Sequence, residues 1–193
     1  MKDVMVDLES MGVGNNPALI QIAAVQFDVN TGKIGNIFDM KIDLQSSLDA
    51  GLEISAGTIK FWMTNPTVNQ ETRNIVMSQT GDYSGVGNSL QYVCQMFATW
   101  CKENEVKYVW GNGTASDNVW LRSAFKAAKV DCPELSFRND MCLRTLRSLA
   151  TRTGWKQDDV VFEGNEHDGL DDSKYQIAVL TSILNHLNIK ELT

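Results

Sequence analysis

The sequence predicts an α/β protein with a mixed five-stranded sheet flanked by helices. Two patterns predict it: three strand-like segments at the N-terminus, then a chain in which strand and helix patterns alternate. Composition agrees. The 193 residues are 43% apolar and 21% charged, with three prolines and no low-complexity tract, which excludes a disordered tail or a proline-rich linker. At roughly 150 residues per domain, the length fits one domain spanning 1–193.

Residues 3 to 8 form a short strand with Val4, Met5 and Val6 apolar and carboxylates at its end. Leu19 to Phe27 is a second strand of imperfect alternation. Asn30-Thr31-Gly32 turns it into a third, Ile34 to Ile42, making a hairpin. Thr58 to Met63 reads as a short helix, and Asn65-Pro66 opens another that runs to about Met77. Asp82 to Asn88 is a glycine-rich loop. Leu90, Val93, Cys94, Phe97, Trp100 and Cys101 then recur at the spacing of an amphipathic helix. Val106 to Trp110 is a buried strand, and Ser116 caps a helix from Asp117 to Lys129. Leu135 to Arg138 is a short strand. Met141 to Thr151 is a helix that turns Leu143, Leu146, Leu149 and Ala150 inward. The last helix, Asp171 to Leu187, puts Ile177, Leu180, Ile183, Leu184 and Leu187 on one face. The first three strands are antiparallel and the later ones parallel.

Seventeen basic residues against 24 acidic leave a formal net charge of −7. That excludes a histone-like coater of nucleic acid. It leaves room for a nuclease, because Mg²⁺ sites recruit carboxylates and two such ions return about +4. The four cysteines contain no C-x-x-C pair, so a zinc ribbon is excluded. Cys94 and Cys101 fall on apolar helix positions, the pattern of a reduced, cytoplasmic protein. The N-terminus has no apolar signal region. The uncharged stretch from Ser10 to Phe27 is interrupted by Gly, Asn, Pro and Gln, so no membrane span is expected.

Three segments carry chemistry. Asp7-Leu8-Glu9 ends the first strand, and residues two apart in a strand point to one side, so these carboxylates repel unless a cation joins them. Asp117 opens a helix after a strand and a glycine-containing loop, a common active-site position in α/β sheets; its carboxylate also suits a helix N-terminus. Glu166-His167-Asp168-Gly169-Leu170-Asp171-Asp172 holds one of only two histidines, in an acidic glycine-containing loop before the last helix.

Together these segments resemble the DnaQ-like (DEDDh) 3′–5′ exonuclease superfamily, with its ribonuclease H-like fold. Asp7 and Glu9 match its D-x-E motif, Asp117 its second motif, and His167 with Asp172 its H-x4-D motif. The residue four before the final Asp is Asp168, not the Tyr of the sister branch. Met11-Gly12, Ala18 to Val25, Thr58-Ile59-Lys60-Phe61-Trp62, Trp110 to Gly113, Leu143 to Leu146 and Gln176 are similar to the phage-type, exonuclease VIII-like branch. Two features depart from the pattern: Ser116 stands where many relatives have Phe, and Asp168 and Asp171 crowd Asp172, which helix register favours as the last ligand with Asp171 as the alternative.

The resemblance implies two Mg²⁺ ions, with Mn²⁺ able to substitute, an expectation that oxygen-only donors support. Asp7 would bridge them, Glu9 and Asp172 would complete the site of the attacking water, and Asp117 would support the second ion. His167 would be the general base, and Gly169 would let its loop move. The backbone of Ser10, Met11 and Gly12 would approach the terminal nucleotide. Trp62 or Phe61 would stack on a base or serve as core, and Asn112 would bind a phosphate or shape its loop. Arg122, Lys126 and Lys129, and separately Arg144 and Arg147, are either phosphate contacts or solvated faces. The implied function is removal of nucleoside 5′-monophosphates from 3′ ends of DNA, single strands preferred. The alternatives are an exoribonuclease with the same chemistry and, further off, an inactive nucleic-acid-binding adaptor. The chain would act as a monomer or homodimer in the cytoplasm, a host's if it is phage-encoded, without a membrane partner.

Overall fold

The computed structural model describes residues 1–78 and 88–189. β1 (Asp3–Ser10), β2 (Leu19–Phe27) and β3 (Ile34–Lys41) form an antiparallel meander, and β4 (Tyr108–Gly111) and β5 (Asp140–Cys142) extend the sheet in parallel from the other side of β1. The strand order is β3-β2-β1-β4-β5. The helices among the described residues are α1 (Leu44–Asp49), α2 (Ala56–Thr64), α3 (Gln70–Ser78), α4 (Leu90–Glu103), α5 (Asp117–Ala128), α6 (Leu143–Arg152) and α7 (Gly169–His186).

Alternation along β1 decides what each of its side chains meets. Val4, Val6 and Leu8 enter one core, with Ile22 and Ala24 of β2, Val93 and Phe97 of α4, and Leu121 and Phe125 of α5. Met5 enters the opposite core, with Trp110 of β4, Leu143 of α6 and Ile177 and Leu180 of α7. Asp7 and Glu9 share the parity of Met5, so both belong to the face that α7 crosses. β1 is also where the sheet changes from antiparallel to parallel pairing. Strand order also reverses there, with β2 on one side and β4 on the other, and the crevice beyond the carboxyl ends of strands at such a reversal is where α/β sheets bind ligands.

Several expected elements are placed differently. The strand expected at Leu135–Arg138 is instead two 3-10 turns, Pro133–Leu135 and Phe137–Asn139, and the edge strand follows at Asp140. Pro133 has no N–H for a ladder and suits a helical turn. Asp140, held by Arg122 at 2.7 and 2.9 Å and by Asn118 at 3.0 Å, fixes where the strand begins. The helix expected from Pro66 starts at Gln70, because the Asn65 and Asn69 carboxamides each bind a nearby N–H and make a turn between them. Leu149 faces solvent at 49% exposure, leaving Leu143 and Ala150 as the buried positions of α6. α1, capped by the Asp43 carboxylate on the Ser46 N–H at 2.9 Å, is too short and polar for its periodicity to show. Most of the glycine-rich loop expected from Asp82 lies outside the described residues.

After β1 the chain folds back tightly: Met11 N–H reaches Ala18 O, Ala18 N–H reaches Glu53 O and Ser55 N–H reaches Met11 O, each at 2.8 Å. A Cβ on Gly12 would lie 2.5 Å from the Glu53 carbonyl oxygen, and backbone on both sides resists the shift. Gly12→Ala is expected to destabilise the protein by about 1–3 kcal/mol, read from the urea midpoint. An unchanged midpoint would show that this loop relaxes freely.

Candidate active site

Asp7 and Glu9 at the end of β1 and Asp172 in the first turn of α7 bring carboxylate oxygens within 4.8 Å of one another. α7 starts where it does because Asp168 caps it, accepting the Leu170 N–H at 3.1 Å. Gly169 lets the helix come down onto the sheet: a Cβ there would sit 3.1 Å from Ala23 Cβ and 3.3 Å from Asp7 O. Its N–H donates to Gln21 at 3.2 Å. Gly169 is therefore a buried close-approach residue, not the hinge expected from the sequence. The cluster contains Asp172 rather than Asp171, which turns away to accept the Asn165 N–H at 3.0 Å and to pair with Lys174 at 3.2 Å.

The charge is undercompensated by the protein. Burial, then the charges of Asp117 and Asp172, hold Asp7 well above the usual carboxylate range. Burial, then Asp7 and Asp172, do the same to Glu9. Asp172 is pushed up to about 7, chiefly by burial. Three groups oppose this: Gln176 Nε2 donates to Asp7 Oδ1 at 2.7 Å, the His167 backbone N–H favours the Asp172 anion, and the buried Lys41, 3.6 Å from Asp168, favours the Glu9 anion. Asp117, buried at the start of α5, lies outside the 4.8 Å set and accepts the Gly113 N–H at 3.0 Å. Ser116 does not cap α5 with its side chain; its hydroxyl donates to Gly113 O at 2.8 Å. A site of mutually repelling, oxygen-only donors fits a hard divalent cation, which supplies the missing positive charge.

His167 enters with φ +66° and donates its backbone N–H to Asp172 Oδ2 at 3.1 Å. Its ring stands edge-on to Phe61, centroids 5.1 Å apart, and its Nε2 lies 3.0 Å from Thr67 Oγ1. Hydrogen-bond accounting assigns the tautomer. Asn65 Oδ1 accepts both the N–H and the hydroxyl of Thr67, at 2.9 and 2.8 Å, so the one hydroxyl proton is used. Thr67 Oγ1 must then accept from His167 Nε2–H, which leaves Nδ1 as the free base of the neutral ring. Burial holds this imidazole below its ordinary value. Nothing in the sequence singled out Thr67 or Asn65; the Asn-Pro-Thr turn was the available signal.

Two cavities meet at Leu8, Glu9 and His167. One, about 350 Å³, is mainly apolar and lined by Ser10, Thr58, Phe61, Trp62 and Trp120. The other, about 340 Å³, is polar and lined by Asp7, Asp172, Asn112, Arg147 and Tyr175. Trp62 is 3% exposed and donates its indole N–H to Ser10 O at 3.0 Å, so it forms the cavity floor and not an open stacking face. Phe61 is the more accessible ring. Met11 packs beside Trp62, Ile20 and Val68, and Ser10 Oγ donates to Gly12 O at 2.7 Å. Asn112 Oδ1 accepts from Arg147 Nη2 at 2.7 Å. Of the basic groups noted in the sequence, Arg147 reaches the polar cavity, whereas Arg122 is spent on Asp140.

The family model of the 3′–5′ exoribonuclease Rv2179c-like domain matches residues 2–184. The chain belongs to that family. As an Rv2179c-like protein it is a 3′–5′ exonuclease. No curated protein matches it in sequence. Its fold is that of the nuclease domain of 3′hExo, a DEDDh family member solved with rAMP: TM-score 0.63 at 14% identity, over 98% of this chain and 94% of that one. Exonuclease I matches with a TM-score of 0.66 at 15% identity, and the E. coli enzyme in complex with a 5cy-dA13 oligonucleotide with 0.62 at 14%. Each match covers 95% of this chain and 40% of exonuclease I. The ribonuclease H-like architecture expected from the sequence is the one observed.

Asp172 titrates at about 7 in the folded protein against an ordinary 3.8. A raised acid favours folding while it stays protonated, so this contribution is present at low pH and lost as pH rises through about 7. In chelator, the melting temperature is expected to fall between about pH 4 and about pH 7, and less steeply in Asp172→Asn. A wild-type melting temperature that rises over that interval would refute the raised Asp172 carboxyl. A second measurement addresses the ring: with only two histidines in the chain, ¹⁵N-histidine spectra should show His167 protonated at Nε2. Thr67→Val should lose that preference and Thr67→Ser keep it; unchanged ring shifts in Thr67→Val would dismiss the bond.

Proposed function

We propose that the protein removes nucleotides singly from the 3′ ends of RNA by divalent-ion-assisted hydrolysis, releasing nucleoside 5′-monophosphates. The observation that carries this reading is the carboxylate cluster at the seam of a polar and an apolar cavity. That seam suits a phosphodiester beside its base. RNA as substrate is supported by the family to which the chain belongs. A second reading, single-stranded DNA, is supported by the fold shared with exonuclease I, which has been solved with an oligonucleotide. A net charge of −7 leaves little basic surface for gripping a duplex, which favours single-stranded ends in either case.

In this mechanism Asp7, Glu9 and Asp172 would hold two Mg²⁺ ions, or Mn²⁺ in their place, and Asp117 would support the second. When bound, the ions neutralise charge on the phosphoryl group and make water a stronger acid. The protein's own part is positional. Gln176 fixes one oxygen of Asp7. The Asp172 carboxylate holds the backbone of His167, and Thr67 and Phe61 hold its ring. His167 Nδ1 takes a proton from the attacking water, whose oxygen bonds to phosphorus. The bond to the 3′ oxygen breaks, and that oxygen regains a proton. Phe61 and the floor formed by Trp62 keep solvent from the terminal base. The reading assigns the enzyme to the cytoplasm as a monomer or homodimer. Among the described residues, no helix is long and apolar enough to cross a membrane.

Matched 3′- and 5′-labelled RNA and DNA oligonucleotides, incubated with Mg²⁺, Mn²⁺ or chelator, test this directly. RNA should shorten from its 3′ end faster than DNA, and chelator should stop both. Faster loss of DNA would select the second reading, and undiminished digestion in chelator would overturn both. With the better substrate, His167→Ala should lower kcat by about 10²–10⁴-fold, while calorimetry shows metal affinity retained. A near-wild-type kcat would place the proton acceptor elsewhere.

A further inference from the structure

We propose that Arg147 is the anion anchor of the polar cavity, binding a phosphate of the polynucleotide across from the carboxylate cluster. This deepens the phosphodiesterase reading and rests on it. Arg147 lies on α6 and lines the same cavity as Asp7, Glu9 and Asp172. A guanidinium has five N–H donors. One of them is used, by Nη2 on Asn112 Oδ1 at 2.7 Å, while Nε is buried and has no partner. Among the described residues Arg147 forms no ion pair: the three present are Lys41–Asp168, Arg122–Asp140 and Lys174–Asp171.

Arg122 shows what a structural arginine looks like in this protein, with both of its terminal nitrogens closed on one carboxylate. Arg147 differs. It is half-buried, held at one nitrogen and otherwise unpaired, although desolvating a cation without an anion is costly. The missing partner is therefore an anion that arrives. A phosphate matches the fork of a guanidinium with two parallel hydrogen bonds, and it is the anion this cavity would receive.

The head of Arg147 is also set in advance. Asn112 binds α6 twice, through its carbonyl to the Arg144 N–H at 2.9 Å and through its carboxamide to Arg147. The Asn112 side chain thus serves as a positioning group for the anchor, a third outcome beside the phosphate contact and the loop-shaping role open to it in the sequence. Three carboxylates repel a polyanion, and an unpaired cation lining the same cavity supplies attraction.

Titrating adenosine 5′-monophosphate and adenosine, with Mg²⁺ present, into wild type, Arg147→Gln and Arg147→Lys isolates this role. Arg147→Gln should weaken monophosphate binding by about tenfold or more, while adenosine binding stays within about twofold. Arg147→Lys, which keeps the charge and loses the fork, should fall between. With oligonucleotide, KM should rise more than kcat falls. Monophosphate affinity unchanged in Arg147→Gln, or an equal loss for adenosine, would overturn the proposal, the latter by marking Arg147 as a structural prop. The underlying reading fails separately: Arg147-dependent monophosphate binding by a wild-type protein that shortens no labelled oligonucleotide would leave the anion site standing and remove the phosphodiesterase.

Discussion

Carboxylates crowded into a partly desolvated site repel one another, and the repulsion grows as water leaves. In this protein three of them lie within 4.8 Å, and the surrounding structure is what keeps them there. Strand alternation puts Asp7 and Glu9 on one face of β1. Gly169 allows α7 to descend far enough for Asp172 to join them. The apolar contacts of Met5, Trp110, Ile177 and Leu180 hold α7 against that face. Two N–H donors and one buried ammonium relieve the repulsion in part, through Gln176 on Asp7, the His167 backbone on Asp172, and Lys41 near Glu9 and Asp168. The remainder is stored as a demand for a cation, which couples metal binding to the stability of the fold.

The division of the site into two cavities follows from the same strand. Leu8 and Glu9 stand between an apolar space walled by α2 and a polar space walled by α6 and α7. His167 lines both spaces, held through its backbone by Asp172 and through its ring by Thr67 and Phe61. Its position thus depends on one of the carboxylates it would serve. The α2–α3 turn acts at a distance in sequence, because Asn65 determines which way the Thr67 hydroxyl points and so which imidazole nitrogen carries the proton.

Much of this was legible in the sequence where the signal is local and periodic. The spacing of Asp7 and Glu9 set them on one face, and the apolar repeat from Leu90 to Cys101 marked α4. Helix register in the sequence favoured Asp172 with Asp171 as the alternative, although α7 starts two residues earlier than expected, at Gly169. Illegible parts depended on contacts between distant segments. Trp62 looked equally suited to stacking and to core; its indole N–H, used by Ser10 O across 52 residues of chain, decides for the floor of the cavity. The edge strand was misplaced because Leu135 to Arg138 has strand-like composition, while the bond that fixes the real strand comes from Arg122 on another helix. Arg147 and Arg122 are indistinguishable as sequence, and only their partners separate them.

The central claim is that the Asp7, Glu9 and Asp172 cluster is a divalent-metal site. Anomalous diffraction from crystals grown with Mn²⁺ tests it most directly. A Mn²⁺ peak is expected between these three carboxylates, coordinated by oxygens of each, and lost from crystals of Glu9→Gln. A map with Mn²⁺ bound elsewhere on the protein and none at this cluster, with the three side chains placed as they are here, would contradict it.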